Sequence, residues 1–264
     1  MRLKITHRTE YRYDVPLQYG LQRLRLTPLS GSTQAIVSWA LKIEGAREEL
    51  RFVDQFGNDT RLVSVEGDPH VVSVEAGGII ESFDTSGITG QHQGFAPLWL
   101  FQRQTALTVP GEEIEHLAAT IQPASELDRL HDLMDAIASR VHYAVGVTDA
   151  ATTAEQALKL GSGVCQDHAH IFIAAARCLG FPARYVSGYL LMDGTVNQVA
   201  SHAWAEAHVS ALGWVAFDAA NRISPDERYV RLAVGRDYRE ATPVSGIRLG
   251  QASEALAVQI TVEQ

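Results

Sequence analysis

Gly161-Ser-Gly-Val-Cys165-Gln-Asp-His-Ala-His170-Ile-Phe-Ile-Ala-Ala-Ala-Arg-Cys178 decides how the chain is read. Two glycines loosen the backbone, a cysteine follows, and an apolar run begins. Gly180 and Pro182 mark the far end of that run, where a helix stops. The pattern predicts a buried helix with Cys165 at or near its first turn. Free N–H groups and the positive end of the macrodipole favour an anion there. Such a position suits a thiolate, the nucleophilic form of cysteine.

Upstream, residues 1 to about 110 are β-rich. Leu3, Ile5 and His7 alternate with polar or charged neighbours, and Glu10-Tyr-Arg-Tyr13 continues in that style. Leu21–Leu26, Ala35–Ile43, Arg61–Val65 and His70–Glu75 are further strand candidates, and Val53–Asp59 reads as a turn. Short strands at this spacing suggest a β-sandwich-like domain over 1–110. Residues 85–111 shift to loose and aromatic composition and mark a boundary. Residues 111–264 form the second domain. It opens with helices over Glu112–Ala119, from a Ser125 cap to Val141, and over Thr153–Leu160. After Gly180 come strands at Ala183–Leu191, Ser201–Val209 and Trp214–Asp218. Helices followed by an antiparallel run give an α+β fold class.

The chain has 264 residues, 46% of them hydrophobic, and a formal net charge of −9. An acidic chain without a basic face argues against nucleic acid as a partner. The first ten residues carry charge throughout, and no stretch approaches a membrane span. The expectation is a soluble, cytoplasmic protein with no membrane partner. The two cysteines, Cys165 and Cys178, lie 178 − 165 = 13 apart on one predicted helix. That is about 20 Å of rise, too far for a disulfide. Cys178 is expected to be a packing residue.

A cysteine nucleophile needs a base and a group that orients the base. His202, Trp204 and Glu206 share one face of a predicted strand, with Ala203, Ala205 and Ala207 on the other. That polar and aromatic face suggests a site wall. Asp218 ends the next strand, from which a carboxylate can reach His202. Cys165, His202 and Asp218 therefore form a workable triad of nucleophile, base and orienting carboxylate. Gln166, His168, Trp204 and Tyr143 are candidate lining residues. The N–H of Cys165 is the first candidate oxyanion donor, and Tyr143 or Gln156 could supply a second.

Gly163-Val-Cys165-Gln-Asp-His-Ala-His170, Leu179-Gly-Phe-Pro-Ala-Arg-Tyr-Val-Ser-Gly-Tyr189, Ser201-His202-Ala-Trp204 and Trp214-Val-Ala-Phe-Asp218 closely resemble the bacterial transglutaminase-like cysteine peptidase superfamily. His7–Tyr13, Leu24–Pro28 and Asp54-Gln-Phe-Gly-Asn58 are similar to the β domain that precedes the core in its two-domain bacterial members. Gly235-Arg-Asp-Tyr238, Pro243 and Gly246 resemble that subgroup's C-terminal segment. The resemblance implies a papain-like core, with Cys165 as nucleophile, His202 as base and Asp218 as orienting carboxylate. It implies acyl transfer on a peptide or protein amide through a thioester, with no cofactor and no metal. Ala219-Ala220 stands where many relatives have Pro-Thr before the asparagine. Animal transglutaminases use a tryptophan near the oxyanion, and none occurs between Phe101 and Cys165. Hydrolysis is thus favoured over transamidation.

Two rival readings remain. Cys165, His168, His170 and His202 could together hold zinc. However, helical residues two apart diverge by roughly 200°. A non-catalytic peptide-binding module is the other. Arg236-Asp-Tyr238 reads as a salt-bridged corner or a substrate contact.

Overall fold

The computed structural model describes residues 1–122, 124–192, 194–250 and 252–264. Seven strands come first: β1 (Arg2–Tyr13), β2 (Tyr19–Thr27), β3 (Gln34–Glu44), β4 (Ala46–Val53), β5 (Asp59–Val65), β6 (Val71–Ser82) and β7 (Ile88–Gly90). In β1 the expected alternation holds: Leu3, Ile5, His7 and Thr9 are buried, while Arg2 and Lys4 face solvent. A helical stretch follows: α1 (Glu112–Thr120), α2 (Glu126–Arg140), β8 (His142–Tyr143), α3 (Ala154–Leu160), β9 (Ser162–Gly163) and α4 (Cys165–Cys178). The Ser125 hydroxyl accepts the N–H of Asp128 at the start of α2, and Leu130, Leu133, Met134 and Ile137 form its buried stripe. Then come β10 (Ala183–Leu190), β11 (Asn197–Gln198), β12 (His202–Val209), β13 (Gly213–Phe217), β14 (Tyr229–Gly235), α5 (Tyr238–Ala241), β15 (Val244–Leu249) and β16 (Glu254–Glu263).

Three main sheets result. One runs β11-β16-β1-β6-β3, a second β15-β2-β5-β4, and the third β14-β10-β12-β13-β7. The first two face each other across Leu3, Ile5, Val74 and Ile80 on one side and Leu24, Leu26 and Val63 on the other. Tyr189, Val230 and Leu232 of the third sheet join the same apolar cluster. The opposite face of the third sheet, through Ala203, Ala205 and Ala207, packs on α4. Small alanines let the helix approach closely. Ile171, Phe172 and Ile173 of α4 are wholly buried there, each contributing about 1.5–3 kcal/mol. So α4 is central, with α1, α2 and α3 around it.

The division at residue 110 needs one correction. β15 pairs with β2, and β16 pairs with β1 from Lys4↔Glu263 to Tyr13↔Glu254. Residues 244–263 were read as part of the second domain, but they complete the sheets of the first. Conversely, β7 joins the third sheet through β13. Such pairing brings together strands far apart in sequence, so no local pattern encodes it. Among the described residues, no helix is long and apolar enough to cross a membrane.

Two buried polar hubs lock these layers. Asp54 accepts from Arg25 Nε at 3.0 Å and from the backbone N–H groups of Phe56 and Asn58 at 3.0 Å. That turn aims Asn58 at β14, where its amide donates to the Val234 carbonyl (2.7 Å) and accepts the Val234 N–H (2.8 Å). The motif Asp54–Asn58 is thus a clamp between sandwich and core. Asn58→Ala leaves a buried N–H and C=O unpaired, at about 1–3 kcal/mol each. We expect the urea midpoint to fall accordingly; an unchanged midpoint would refute the clamp. The second hub is Arg177. It donates to the carbonyls of Phe101, Ala183 and Arg236 and to the Thr108 hydroxyl. Arg236 itself pairs with Glu240, and Asp237 caps α5. Arg236-Asp-Tyr238 is therefore a structural corner.

Candidate active site

The site starts from the backbone before α4. Gly161 ends α3 in the left-handed region at φ 66°, which suits glycine. The chain then extends through β9, and Asp167 folds back over it. Asp167 Oδ2 accepts the Val164 N–H at 2.8 Å and the Thr148 hydroxyl at 2.7 Å. A Cβ on Gly163 would lie 2.6 Å from that oxygen, so only glycine lets the carboxylate close this cap. Cys165 is the first residue of α4, as expected, and its N–H has no acceptor within the helix. Its side chain is half-buried.

His202 opens β12 beside it, and Cys165 lies near enough for its charge to act on the ring. His202 Nε2 lies 2.6 Å from Asp218 Oδ2, which leaves Nδ1 to meet the thiol. Asp218 is 1% exposed and fully engaged. Its Oδ2 also accepts from Asn221 Nδ2 and the Tyr229 hydroxyl, both at 2.8 Å. Its Oδ1 accepts the N–H groups of Ala220 (3.0 Å) and Asn221 (3.2 Å). The Asp218↔Ile223 bridge closes the loop that supplies them. Burial alone would raise the Asp218 pKa, but the hydrogen bond and charge of His202, then Asn221 and Tyr229, hold it below the usual range. Burial likewise opposes charge on His202. Asp218 and Cys165 together outweigh it, through hydrogen bonding and charge, and lift His202 to about 10. The surroundings thus favour the imidazolium form of the ring.

The structure places these three side by side, and it adds two supports that the sequence does not announce, Asn221 and Tyr229. Tyr229 lies on β14 and carries no spacing signal relative to Asp218. The lining candidates divide. Tyr143 borders the site: β8 pairs in parallel with β9, and burial and then the charges of Cys165 and Asp218 raise its hydroxyl's pKa. Its ring is 58% exposed, so the site is open to solvent on this side. Gln166 is half-buried in the first turn of α4. Trp204 is buried, not part of an open wall; its ring stacks on His202 at 6.2 Å and backs the base. Glu206 leaves the site altogether and pairs with Arg184. His168 is also buried, with its ring nitrogens on the carbonyls of Val164 (2.9 Å) and Val141 (3.1 Å). Gln156 completes the cap of α3 with Thr153 and is not an oxyanion donor. His170 is fully buried, accepts the Tyr238 N–H at 3.1 Å and, by burial and then the charge of Arg177, is pushed down to about 3. The four residues weighed for zinc therefore point to four different sets of partners.

Cys178 corrects an expectation. It is exposed, at the last residue of α4 where the helix emerges from its cover. Partial burial and then Glu115 raise its thiol pKa. Iodoacetamide at neutral pH should therefore label Cys165 at least about tenfold faster than Cys178, despite the greater exposure of the latter. His202→Ala should erase most of the difference. Equal rates in the native protein would refute an activated Cys165.

Comparison with known proteins fits this geometry. Residues 115–219 match the transglutaminase-like superfamily core, and residues 3–81 match the bacterial transglutaminase-like N-terminal region. An uncharacterized protein of Mycobacterium leprae is 27% identical over 278 residues, covering 99% of this chain and 98% of its own. One from Mycobacterium tuberculosis is 28% identical over 292 residues, covering 99% of this chain and 92% of its own. A crystal structure from Cytophaga hutchinsonii, described as "a putative cysteine protease", superposes with a TM-score of 0.77 at 23% identity, over 100% of this chain and 91% of that one. It shares the fold. The chain is a transglutaminase-like protein, with the superfamily's core preceded by its bacterial N-terminal region. The expected α+β class with a papain-like core is borne out.

Proposed function

We propose that the chain is a cysteine-dependent acyl-transfer enzyme acting on an amide or peptide bond, with water resolving the thioester. One observation carries this: His202, beside Cys165, is hydrogen-bonded at 2.6 Å to Asp218, which is itself anchored by Asn221, Tyr229 and two backbone N–H groups. A binding module has no need to hold a buried carboxylate so firmly against a histidine.

In this reading the Cys165 thiolate attacks the carbonyl carbon and the oxygen becomes an oxyanion. The Cys165 N–H, free at the helix start, faces that charge, and the Tyr143 hydroxyl is the second donor. His202 gives its proton to the leaving nitrogen as the C–N bond breaks, and an amine departs. A water molecule then attacks the thioester. His202 takes its proton, the C–S bond breaks, and the acid leaves with the thiolate restored. The solvent-facing Tyr143 side supports water as acceptor. No cofactor enters either half-reaction.

Peptide amides and glutamine-containing peptides, each with and without an excess of a primary amine, test the acceptor. The proposal expects free acid and amine or ammonia in every case, with little cross-linked product. Predominant amide product on adding the amine would make the chain a transamidase. An inactive chain whose Cys165 never acylates would return the binding-module reading.

A further inference from the structure

The transglutaminase-like site lies where β12 begins and β13 ends in the third sheet. Behind it, a separate cleft of ≈ 1120 Å³, part of it open solvent, lies between the sandwich and the core. Cys165, His202 and Asp218 do not line it. One wall is the loop 29–34, and the other is the segment 89–94. Both are held. Gln34 donates to the carbonyls of Leu29 and Arg231 and accepts the Arg231 N–H, and the Ser32 hydroxyl donates to the Thr89 carbonyl. The floor is Trp214, with the Arg184 guanidinium 3.9 Å above its ring centre, and Arg231 beside it.

Charge makes this cleft unlike the rest of the chain. The molecule carries −9, yet the ionisable side chains lining the cleft, among the described residues, are Arg184 and Arg231. Among the described residues their one counter-ion, Glu206, is wholly buried behind them and shared by both. It lies 2.5 Å from Arg184 and 3.3 Å from Arg231. Two cations against one carboxylate leave a unit of positive charge at the cleft. The Arg184 side chain is 6% exposed and that of Arg231 32%, so the second guanidinium is the one that reaches solvent. Holding like charges together in a dry place is costly unless another anion shares them. The remaining lining is neutral; beside Leu29, Phe56 and glycines it offers the hydrogen-bonding side chains of Ser30, Thr33, Gln91 and Gln93.

We infer that this cleft binds a small polar organic anion, its carboxylate or phosphate group on Arg231 and its neutral polar part along the serine, threonine and glutamine side chains. A planar guanidinium suits either oxyanion. The space exceeds what an inorganic ion fills.

Titration calorimetry on the full chain tests this with inorganic phosphate, succinate and the uncharged succinamide. Succinate or phosphate should bind with an affinity that falls as salt rises, and succinamide should not. The stronger of the two identifies which oxyanion the cleft prefers. Arg231→Gln leaves the Arg184–Glu206 pair in place and should weaken binding about tenfold or more. Gln93→Glu changes only an exposed loop residue, so its fold is not at stake, and it should weaken binding by repulsion. Equal binding by succinamide, no binding by either anion, or unchanged affinity in Gln93→Glu and Arg231→Gln would overturn the inference. None of these readouts needs Cys165 to be active.

Discussion

Cys165→Ala is expected to abolish amide turnover while leaving the fold intact. Loss of a nucleophile from a working triad costs about 10⁶ in kcat, because base and orienter act only through it. The side chain is half-buried, so the alanine loses little packing. The cap made by Asp167 and Val164 does not involve the sulfur, so α4 should start at the same place. Thermal midpoint and circular dichroism should therefore match the native protein. Brief incubation of the native chain with an activated ester should add one acyl mass to the peptide holding Cys165. No such adduct should form on the alanine variant. Turnover by that variant within about tenfold of native would sink the mechanism.

Asp218→Asn should be nearly as damaging, and its signature lies in pH. The equivalent change in a serine triad, a known reference case, lowers kcat by about 10⁴. Here burial is outweighed by Asp218 together with Cys165, which lift His202 to about 10. Without that charge, only Cys165 is left to oppose burial, and the histidine pKa falls. His202 must carry a proton to release the amine, so activity is lost as pH rises through its pKa. In the native enzyme that alkaline limb belongs near 10; in Asp218→Asn it should move toward acid. Tyr229→Phe removes one of the donors to Asp218 and should cost about tenfold or less, equivalent to roughly one hydrogen bond. An unmoved alkaline limb in Asp218→Asn would show that the aspartate does not set the charge of His202.

The parts of this molecule legible in the sequence are those made by neighbours. Ser125, Thr153 and Gly180 mark helix ends because capping involves residues within a turn. Cys165 is legible because a glycine-rich approach, a cysteine and an apolar run are contiguous. His202 and Asp218 follow from strand alternation and from a strand's end. What escaped is contact between distant segments. Tyr229 reaches Asp218 only because β14 lies in the same sheet. Trp204 looked like a wall because alternation tells which face a side chain takes, not what covers that face. The shared sandwich, with β16 against β1, depends on a pairing that neither strand announces by itself.

That pairing has a consequence for how the molecule comes into being. Tyr13 and Glu254 are partners, yet they lie 254 − 13 = 241 positions apart in the chain. A growing chain that has already released its nucleophile still has β1 with one edge unpaired. Its buried row, Leu3 and Ile5, waits for Ile260 and Val262 to complete its cover. Such an edge invites other strands, and contacts this distant close slowly. The time between translating Cys165 and translating β16 is thus the interval in which a nascent chain most needs protection from its neighbours.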